Sequence, residues 1–230
     1  MTQDEAKALV GKRAAEFVED GMAVGLGTGT TSVAFIKALG ERVKAGLKIR
    51  CVASSDASHA LGLSLGMDVV SLNELPELDV YIDGADEVTR PPGVGLALIK
   101  GGGGALLREK IVASAAKKFV VVVDQTKIVD VLGKFPLPVE VIKMALPVVE
   151  PKLTALGLHP KQRQAKDGNG PYLTDEGNYI LDCACGKIAD PVRTAAEIRA
   201  IVGVVEHGLF LNMASLVLVA GDDGVREIEG

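Results

Sequence analysis

Apolar residues follow two periods along this chain, one typical of buried strands and one typical of the helices that cover them. Segments of strand type, rich in apolar residues, occupy positions 22–27, 48–53, 68–70, 78–82, 96–99 and 119–123. Between these segments, apolar residues recur three and four positions apart, which predicts helices through 6–18, 33–43, 56–65 and 105–118. The alternation favours an α/β fold, with a Rossmann-like, mostly parallel sheet and helices on both faces.

The pattern changes after position 131. A strand at 139–142 is followed by a helix at 147–156, two strands at 160–165 and 178–184, a helix that Asp190 and Pro191 open, and a last strand at 204–209. The order β-α-β-β-α-β is that of a ferredoxin-like unit. We therefore predict a small α+β domain at 132–207, inserted into an α/β domain that comprises 1–131 and 208–230.

Composition and charge narrow the classes of partner. Of the 230 residues, 48% are hydrophobic and only 3% aromatic, so the core must be built from aliphatic side chains. The net charge is −5 and no Lys/Arg-rich run occurs, which disfavours a nucleic-acid partner. No signal peptide and no apolar stretch of about 20 residues is present, so we expect a soluble cytoplasmic protein with no membrane partner.

The most informative local feature is a run of glycines between a predicted strand and a predicted helix. Lys100 precedes Gly101, Gly102, Gly103 and Gly104, and the helix that follows carries Glu109. Glycines leave backbone N–H groups uncovered, and a helix N-terminus favours anions. The alternative is a flexible loop in which Glu109 is a solvated helix residue.

Several polar clusters follow the carboxyl ends of predicted strands. They occupy positions 28–31, 54–56, 83–87, 100–104 and 124–127. In an open α/β sheet those ends line one crevice, where ligands bind. We therefore expect these clusters to converge. Lys127 belongs to the last of them, although an ordinary surface lysine is the alternative at that position.

The first cluster is the turn Thr28-Gly29-Thr30-Thr31, which follows a strand that ends in Gly27. It is not a dinucleotide fingerprint, because Thr30 stands where that motif needs glycine, and no Gly-Lys-Ser/Thr closes a P-loop. Its hydroxyl and N–H groups suit one phosphate. A helix capped by threonine without a ligand is the alternative.

Three carboxylates lie within the five residues Asp83-Gly84-Ala85-Asp86-Glu87. Like charges this close need a cation or a shared proton, so a metal site and acid–base chemistry beside Lys100 are both open. We favour the second and expect no metal and no cofactor. The only histidine near these loops, His59, is set back within a helix, and His159 and His207 are expected to be structural or surface residues.

Five motifs, in order and over nearly the whole chain, resemble the type A family of ribose-5-phosphate isomerases. They are the turn at 27–31, the serine cluster at 54–58, the carboxylate loop at 83–87, the glycine run at 100–103 with Arg108-Glu109-Lys110, and the segment Gly133-Lys134-Phe135-Pro136-Leu137-Pro138-Val139-Glu140-Val141. Each motif is weak alone, but the set is specific.

The resemblance implies a metal-free aldose–ketose isomerase of the pentose phosphate pathway, acting on a small sugar phosphate. It implies that Glu109 moves a proton between C1 and C2, that Asp83 and Asp86 handle sugar hydroxyls and ring opening, and that Lys100 offers charge to the enediolate. The predicted substrate contacts are Thr28, Gly29, Thr30, Thr31, Asp83, Gly84, Ala85, Asp86, Lys100, Gly101, Gly102, Gly103 and Lys127. We also expect a homodimer or homotetramer.

Two positions depart from the family pattern. Gly104 stands where an alanine is common, which we expect to loosen the start of the helix that carries Glu109. The segment 90–95 is longer than usual, which we expect to be a surface change. Lys7 matches a lysine near the family's phosphate site, but its motif is too plain to assign a contact.

Two other classes of protein are alternatives. A sugar-phosphate sensor of related fold would need a DNA-binding segment, for which the single N-terminal helix leaves no room. An amino-sugar-phosphate deaminase or a CoA transferase of similar fold would not require Asp83, Asp86, Lys100 and Glu109 together.

Overall fold

A computed structural model describes residues 1–230. The chain groups into two compact units. The first unit comprises Met1–Ala85, Arg108–Ile128 and Asn212–Gly230, and the second comprises Asp86–Leu107 and Val129–Leu211. The second unit therefore contains residues 86–107 as well as most of the segment that the sequence predicts as an insertion.

The first unit is built on a seven-stranded sheet. Its strands, in chain order, are β1 (Ala23–Leu26), β2 (Arg50–Ala53), β3 (Asp68–Val69), β4 (Leu78–Gly84), β7 (Ala116–Asp124), β13 (Leu216–Gly221) and β14 (Gly224–Glu229). They lie in the order β14-β13-β7-β4-β1-β2-β3, and every pair is parallel except β13 with β14. The mostly parallel sheet predicted from the apolar runs is confirmed.

Helices cover both faces of this sheet. They are α1 (Gln3–Ala15), α2 (Thr30–Lys44), α3 (Asp56–Ser64) and α4 (Leu106–Ser114). The first two pack with Val24 and Leu26 in one aliphatic core. Gly25 points to the opposite face, where a Cβ would meet Tyr81 and Val112 of α4. The helix α1 begins at a capping box, in which Thr2 Oγ1 accepts from Glu5 N and the Glu5 carboxylate accepts from Thr2 N.

The predicted helix at 105–118 is too long. The helix α4 ends at Ser114, and β7 begins at Ala116, which pairs with Leu78 of β4. Ladder pairing with a distant strand thus overrides the helical spacing after Ser114. Ile111, one of the apolar positions at helical spacing in this segment, is exposed.

The second unit contains a four-stranded antiparallel sheet and two helices. The strands are β8 (Leu137–Val141), β9 (Pro160–Gln162), β10 (Tyr179–Cys183) and β11 (Val204–His207), and the helices are α5 (Leu146–Ala155) and α6 (Pro191–Arg199). The strand order β11-β8-β10-β9, with every pair antiparallel, is the ferredoxin-like arrangement that the sequence predicts.

The strand before the glycine run does not join the parallel sheet. That strand is β6 (Ala97–Ile99), and it lies between β5 (Glu87–Thr89) and β12 (Leu209–Leu211) in a separate antiparallel sheet of the second unit. The prediction that the cluster at 100–104 follows a strand of the parallel sheet is therefore wrong. Gly208, whose N–H donates to Pro138 O and whose carbonyl accepts from Lys100 N, separates β11 from β12 where one strand was predicted.

None of the helices is long and apolar enough to span a lipid bilayer.

Candidate active site

The carboxylate of Asp83 is the organising group of the first unit's polar loops. It lies at the end of β4, is fully buried, and accepts hydrogen bonds on Oδ1 from Thr28 N (2.8 Å), Ser32 Oγ (2.7 Å) and Gly84 N (2.8 Å). A buried carboxylate is tolerated when donors replace its water. Only glycine fits at position 27, because a Cβ there would lie 2.3 Å from Asp83 Oδ1.

Tyr81 supplies a further donor that the sequence analysis missed. Its hydroxyl donates to Asp83 Oδ2 at 2.5 Å, and its ring stacks on Phe119 with centroids 4.9 Å apart. Burial, followed by the nearby negative charges of Asp83 and Glu109, raises the pKa of Tyr81 well above its ordinary value, so the hydroxyl stays protonated and donates. The available signal was its position two residues before Asp83, on the same side of a strand.

Glu109 lies in the first turn of α4 and is buried, with only 3% of the residue exposed. Its charge acts on Tyr81 together with that of Asp83, so two buried carboxylates influence one neutral hydroxyl. A rigid, desolvated carboxylate of this kind is suited to accept a proton from carbon.

The turn at Thr28–Thr31 is held by its first residue. Thr28 Oγ1 lies 2.8 Å from Ser54 Oγ and 2.9 Å from Ser55 Oγ, which ties the ends of β1 and β2 together. The N-cap of α2 is Gly29, at φ +94°, and no side chain caps this helix. The alternative of a threonine-capped helix is therefore wrong. The next helix, α3, does have a side-chain cap, supplied by Ser55.

Two lysines of the first unit, Lys7 and Lys127, are considered as substrate contacts in the sequence analysis. Lys127 is half-buried in a short 3-10 helix (Gln125–Lys127) directly after β7, as its position in the sequence predicts. Lys7 lies on α1 with its Nζ 3.8 Å from Asp4 Oδ1.

In the second unit the glycine run forms a tight turn that needs glycine at positions 101, 102 and 104. Gly104 N donates to Gly101 O at 3.0 Å, and both residues have positive φ, +91° and +101°. Gly102 N donates to Asp86 Oδ2 at 2.8 Å, and a Cβ on Gly102 would lie 2.6 Å from the other oxygen of that carboxylate. Asp86 thus holds the turn directly.

Lys100 is 2% exposed, and its Nζ lies 5.5 Å from the centroid of the Phe210 ring. A cation over an aromatic face is attracted by the ring's quadrupole. The backbone N–H of Lys100 donates to Gly208 O at 2.9 Å, which fixes the residue at the start of the glycine turn.

The three neighbouring carboxylates of the sequence have three different partners. Asp83 accepts hydrogen bonds from groups of the first unit, and Asp86 accepts one from Gly102 N. Glu87 accepts hydrogen bonds from Gly133 N (2.7 Å) and Phe135 N (2.6 Å). Glu87 is therefore a buried support for the segment at 133–135. No group of three or more His, Cys, Asp or Glu side chains is arranged to hold a metal ion.

Gly104, which the sequence analysis expected to loosen the helix start, is required by its neighbour. A Cβ at this position would lie 2.2 Å from Tyr172 Oη, so an alanine could not coexist with the tyrosine as placed. The long segment at 90–95 has its exposed residues at Arg90, Pro92 and Gly93, in agreement with a surface change. His59 and His159 are exposed, while His207 is buried and accepts Leu209 N.

The sequence of this chain matches a known protein family and individual members of it. The profile of the family described as ribose 5-phosphate isomerase A (phosphoriboisomerase A) matches residues 50–224. The ribose-5-phosphate isomerase A of Sinorhizobium fredii is 47% identical over 99% of both chains. That of Natronomonas pharaonis is 48% identical over 95% of this chain and 94% of its own.

Two solved structures match over the full length of both chains. The structure of ribose 5-phosphate isomerase A from Methanocaldococcus jannaschii superposes with a TM-score of 0.94 at 40% identity. A D-ribose-5-phosphate isomerase in complex with phospho-erythronic acid superposes with a TM-score of 0.95 at 39% identity.

Proposed function

This chain belongs to the ribose 5-phosphate isomerase A family, and we propose that it moves the proton of the isomerisation through an enediolate, with Glu109 as the base. It is an aldose–ketose isomerase that interconverts ribose 5-phosphate and ribulose 5-phosphate. The observation that carries the proposal is the burial of two carboxylates, Asp83 and Glu109, whose charges both act on the neutral Tyr81 hydroxyl.

The reaction needs one group that both takes and returns a proton. In the open-chain aldose, the base removes the C2 proton, the C2–H electron pair forms a C1=C2 double bond, and the carbonyl pair moves onto O1. The base then returns the proton to C1 while the O2 proton passes to O1, which leaves the ketone at C2. Glu109 suits this step because it is desolvated and held on a helix.

The other groups are assigned by their chemistry. Asp83 has donors fixed on both oxygens, and we propose that it orients the sugar hydroxyls and assists ring opening. Asp86 is proposed to share that role, and the Lys100 ammonium to stabilise the charge on O1, because a developing oxyanion needs a preorganised cation.

The substrate contacts stay proposals as well. They comprise Thr28–Thr31, Gly84, Ala85, Gly101–Gly103 and Lys127. The uncapped start of α2 supports a phosphate at the threonine turn, since its N–H groups are not met by a side-chain cap. We further propose that this chain binds phospho-erythronic acid, whose carboxylate carries charge where the enediolate would. Action in the cytoplasm and independence from metal ions stay predictions.

The test is conversion of ribose 5-phosphate to ketose in the presence of EDTA, by wild type and by Glu109→Gln. The amide keeps the shape but accepts no proton, so kcat should fall about 10²- to 10⁴-fold with KM largely kept. The matched control is Glu41→Gln, an exposed helix residue paired with Lys44, which should leave kcat unchanged. In D₂O, turnover should leave deuterium on C2 of the aldose or C1 of the ketose.

Two results would count against the proposal. A Glu109→Gln enzyme with near-normal kcat excludes it as the base. Release of ammonia from an amino-sugar phosphate, without conversion of ribose 5-phosphate, would instead favour the deaminase alternative.

We also propose that the chain forms a homodimer or homotetramer. The support is a group of exposed apolar side chains in the second unit, Met144 (86% exposed), Val148 (52%) and Val202 (83%). They lie on adjoining segments, since Ile142 N donates to Gly203 O at 3.0 Å. Sedimentation of Met144→Glu should show a smaller species than wild type, and a monomeric wild type would refute the proposal.

A further inference from the structure

An arginine that the sequence analysis did not single out donates hydrogen bonds to the carbonyl groups of the glycine turn. Arg163 follows β9, and its Nη1 donates to Gly101 O at 3.0 Å and to Gly102 O at 3.3 Å. All of these atoms belong to the second unit. The contact therefore links the α+β part of that unit to the turn after β6.

The guanidinium is itself fixed by a carboxylate. Arg163 Nε donates to Asp182 Oδ2 at 2.8 Å, and Nη2 donates to Asp182 Oδ1 at 2.5 Å. The arginine side chain is 14% exposed, so the pair is largely screened from water. A two-point bond to a carboxylate sets the plane of the guanidinium and hence the direction of its remaining Nη1 donors.

Holding the carbonyls of the turn also orients its N–H groups. A trans peptide is planar, with its C=O and N–H pointing in opposite directions, and the chain has no cis peptide. The Gly101 carbonyl shares a peptide with Gly102 N, which donates to Asp86. The Gly102 carbonyl shares a peptide with Gly103 N, so the Gly103 N–H points away from Arg163.

A glycine peptide does not keep such an orientation unaided, because glycine populates positive and negative φ about equally. Gly102 and Gly103 are both exposed, so packing of their own atoms does not hold them. Arg163 supplies the missing restraint, with Tyr172 Oη near Gly103 O at 3.5 Å.

We propose that Arg163, oriented by Asp182, is a positioning residue that holds the Gly102–Gly103 peptide so that the Gly103 N–H is presented to the substrate oxyanion. The inference rests on the proposed function, in which this turn contacts the substrate. Removing one oriented donor from an oxyanion site costs about 10²- to 10³-fold in kcat. A turn that still visits the right orientation part of the time should lose less, about 10- to 100-fold.

The experiment compares Arg163→Ala, Arg163→Lys and Asp182→Asn with wild type, by kcat, KM and binding of phospho-erythronic acid. Arg163→Ala should lower kcat about 10- to 100-fold with KM changed less than about threefold, and should weaken phospho-erythronic acid in parallel with kcat. Arg163→Lys should be intermediate, because an ammonium lacks the planar fork. Ethylguanidinium should restore part of the kcat of Arg163→Ala.

The matched control is Arg193→Ala, which removes another arginine–carboxylate pair of the same unit, the exposed one with Glu197. It should leave kcat unchanged and gain nothing from ethylguanidinium. Should Arg163→Ala not fold, Arg163→Lys and Asp182→Asn decide by the same split between kcat and KM.

An Arg163→Ala enzyme that folds less stably but turns over at the wild-type rate would overturn the inference and make the arginine purely structural. Equal loss of kcat in Arg163→Ala and Arg193→Ala would overturn it too. A wild-type protein that does not isomerise ribose 5-phosphate would instead overturn the proposed function.

Discussion

The hydroxyl of Tyr81 should be worth a measurable share of stability, and Tyr81→Phe isolates it. The substitution keeps the ring, and with it the stack on Phe119, while removing the donor that lies 2.5 Å from Asp83 Oδ2. Both Tyr81 and Asp83 are fully buried, so water does not replace the lost bond. Asp83 Oδ1 keeps its three donors, but Oδ2 loses this one.

A hydrogen bond to a charged group contributes about 1.5–3 kcal/mol. We therefore expect the free energy of unfolding to fall by about 1.5–3 kcal/mol. For a chain of this length, each kcal/mol lowers the melting temperature by about 2–4 °C, so the total shift should be about 3–12 °C. Because Asp83 is then held less firmly, kcat should fall while KM changes less.

Urea unfolding at neutral pH, with thermal unfolding beside it, measures the effect. The control is Tyr179→Phe, the same chemical change at a half-buried tyrosine whose ring lies near Lys143. That control should stay within about 0.5 kcal/mol of wild type. Equal destabilisation by the two variants would refute the argument that the Asp83 contact carries the cost.

Three further perturbations test other parts of the structure. Lys100→Ala should weaken binding and lower kcat about 10²- to 10³-fold, because it removes the proposed cation at the enediolate, and a variant with wild-type kinetics would place that role elsewhere. Gly104→Ala should lower the free energy of unfolding by more than roughly 1–2 kcal/mol, the cost of a non-glycine residue in the left-handed conformation, because its Cβ also clashes with Tyr172. When Tyr172 is already alanine, Gly104→Ala should cost only that roughly 1–2 kcal/mol, because the clash is gone and the backbone strain remains. Burial, then the charge of Asp68, raises the pKa of Cys51 from 9.0 to about 12, so the unfolded thiol ionises first and stability should fall by about 1.4 kcal/mol per pH unit between pH 9 and 12. Urea unfolding at several pH values in that range should show that the free energy of unfolding of Cys51→Ala falls less steeply with pH than that of wild type. An equally steep fall in the two proteins would contradict the assignment.

Features of this chain that depend on neighbouring residues were readable from the sequence. The apolar runs predict the parallel strands of the first unit, because strands buried on both faces need aliphatic side chains at successive positions. The capping boxes at Thr2 and Ser55 involve residues three apart. The order of elements after 131 predicts the ferredoxin-like sheet, since few topologies accommodate it. The roles assigned to the site residues still await the kinetic tests.

Features that depend on distant partners were decided only by the tertiary structure. The strand before the glycine turn pairs with Leu209–Leu211, more than a hundred positions away, and so leaves the parallel sheet. The three carboxylates at 83–87 look equivalent in sequence, yet each finds a different set of donors. Tyr81 reads as an apolar strand residue until its hydroxyl is seen on Asp83. No local sequence motif identifies Arg163, because its hydrogen-bond partners are the carbonyls of a turn about sixty residues earlier. Local periodicity records what a segment buries, whereas hydrogen-bond partners across the fold are set by which surfaces meet.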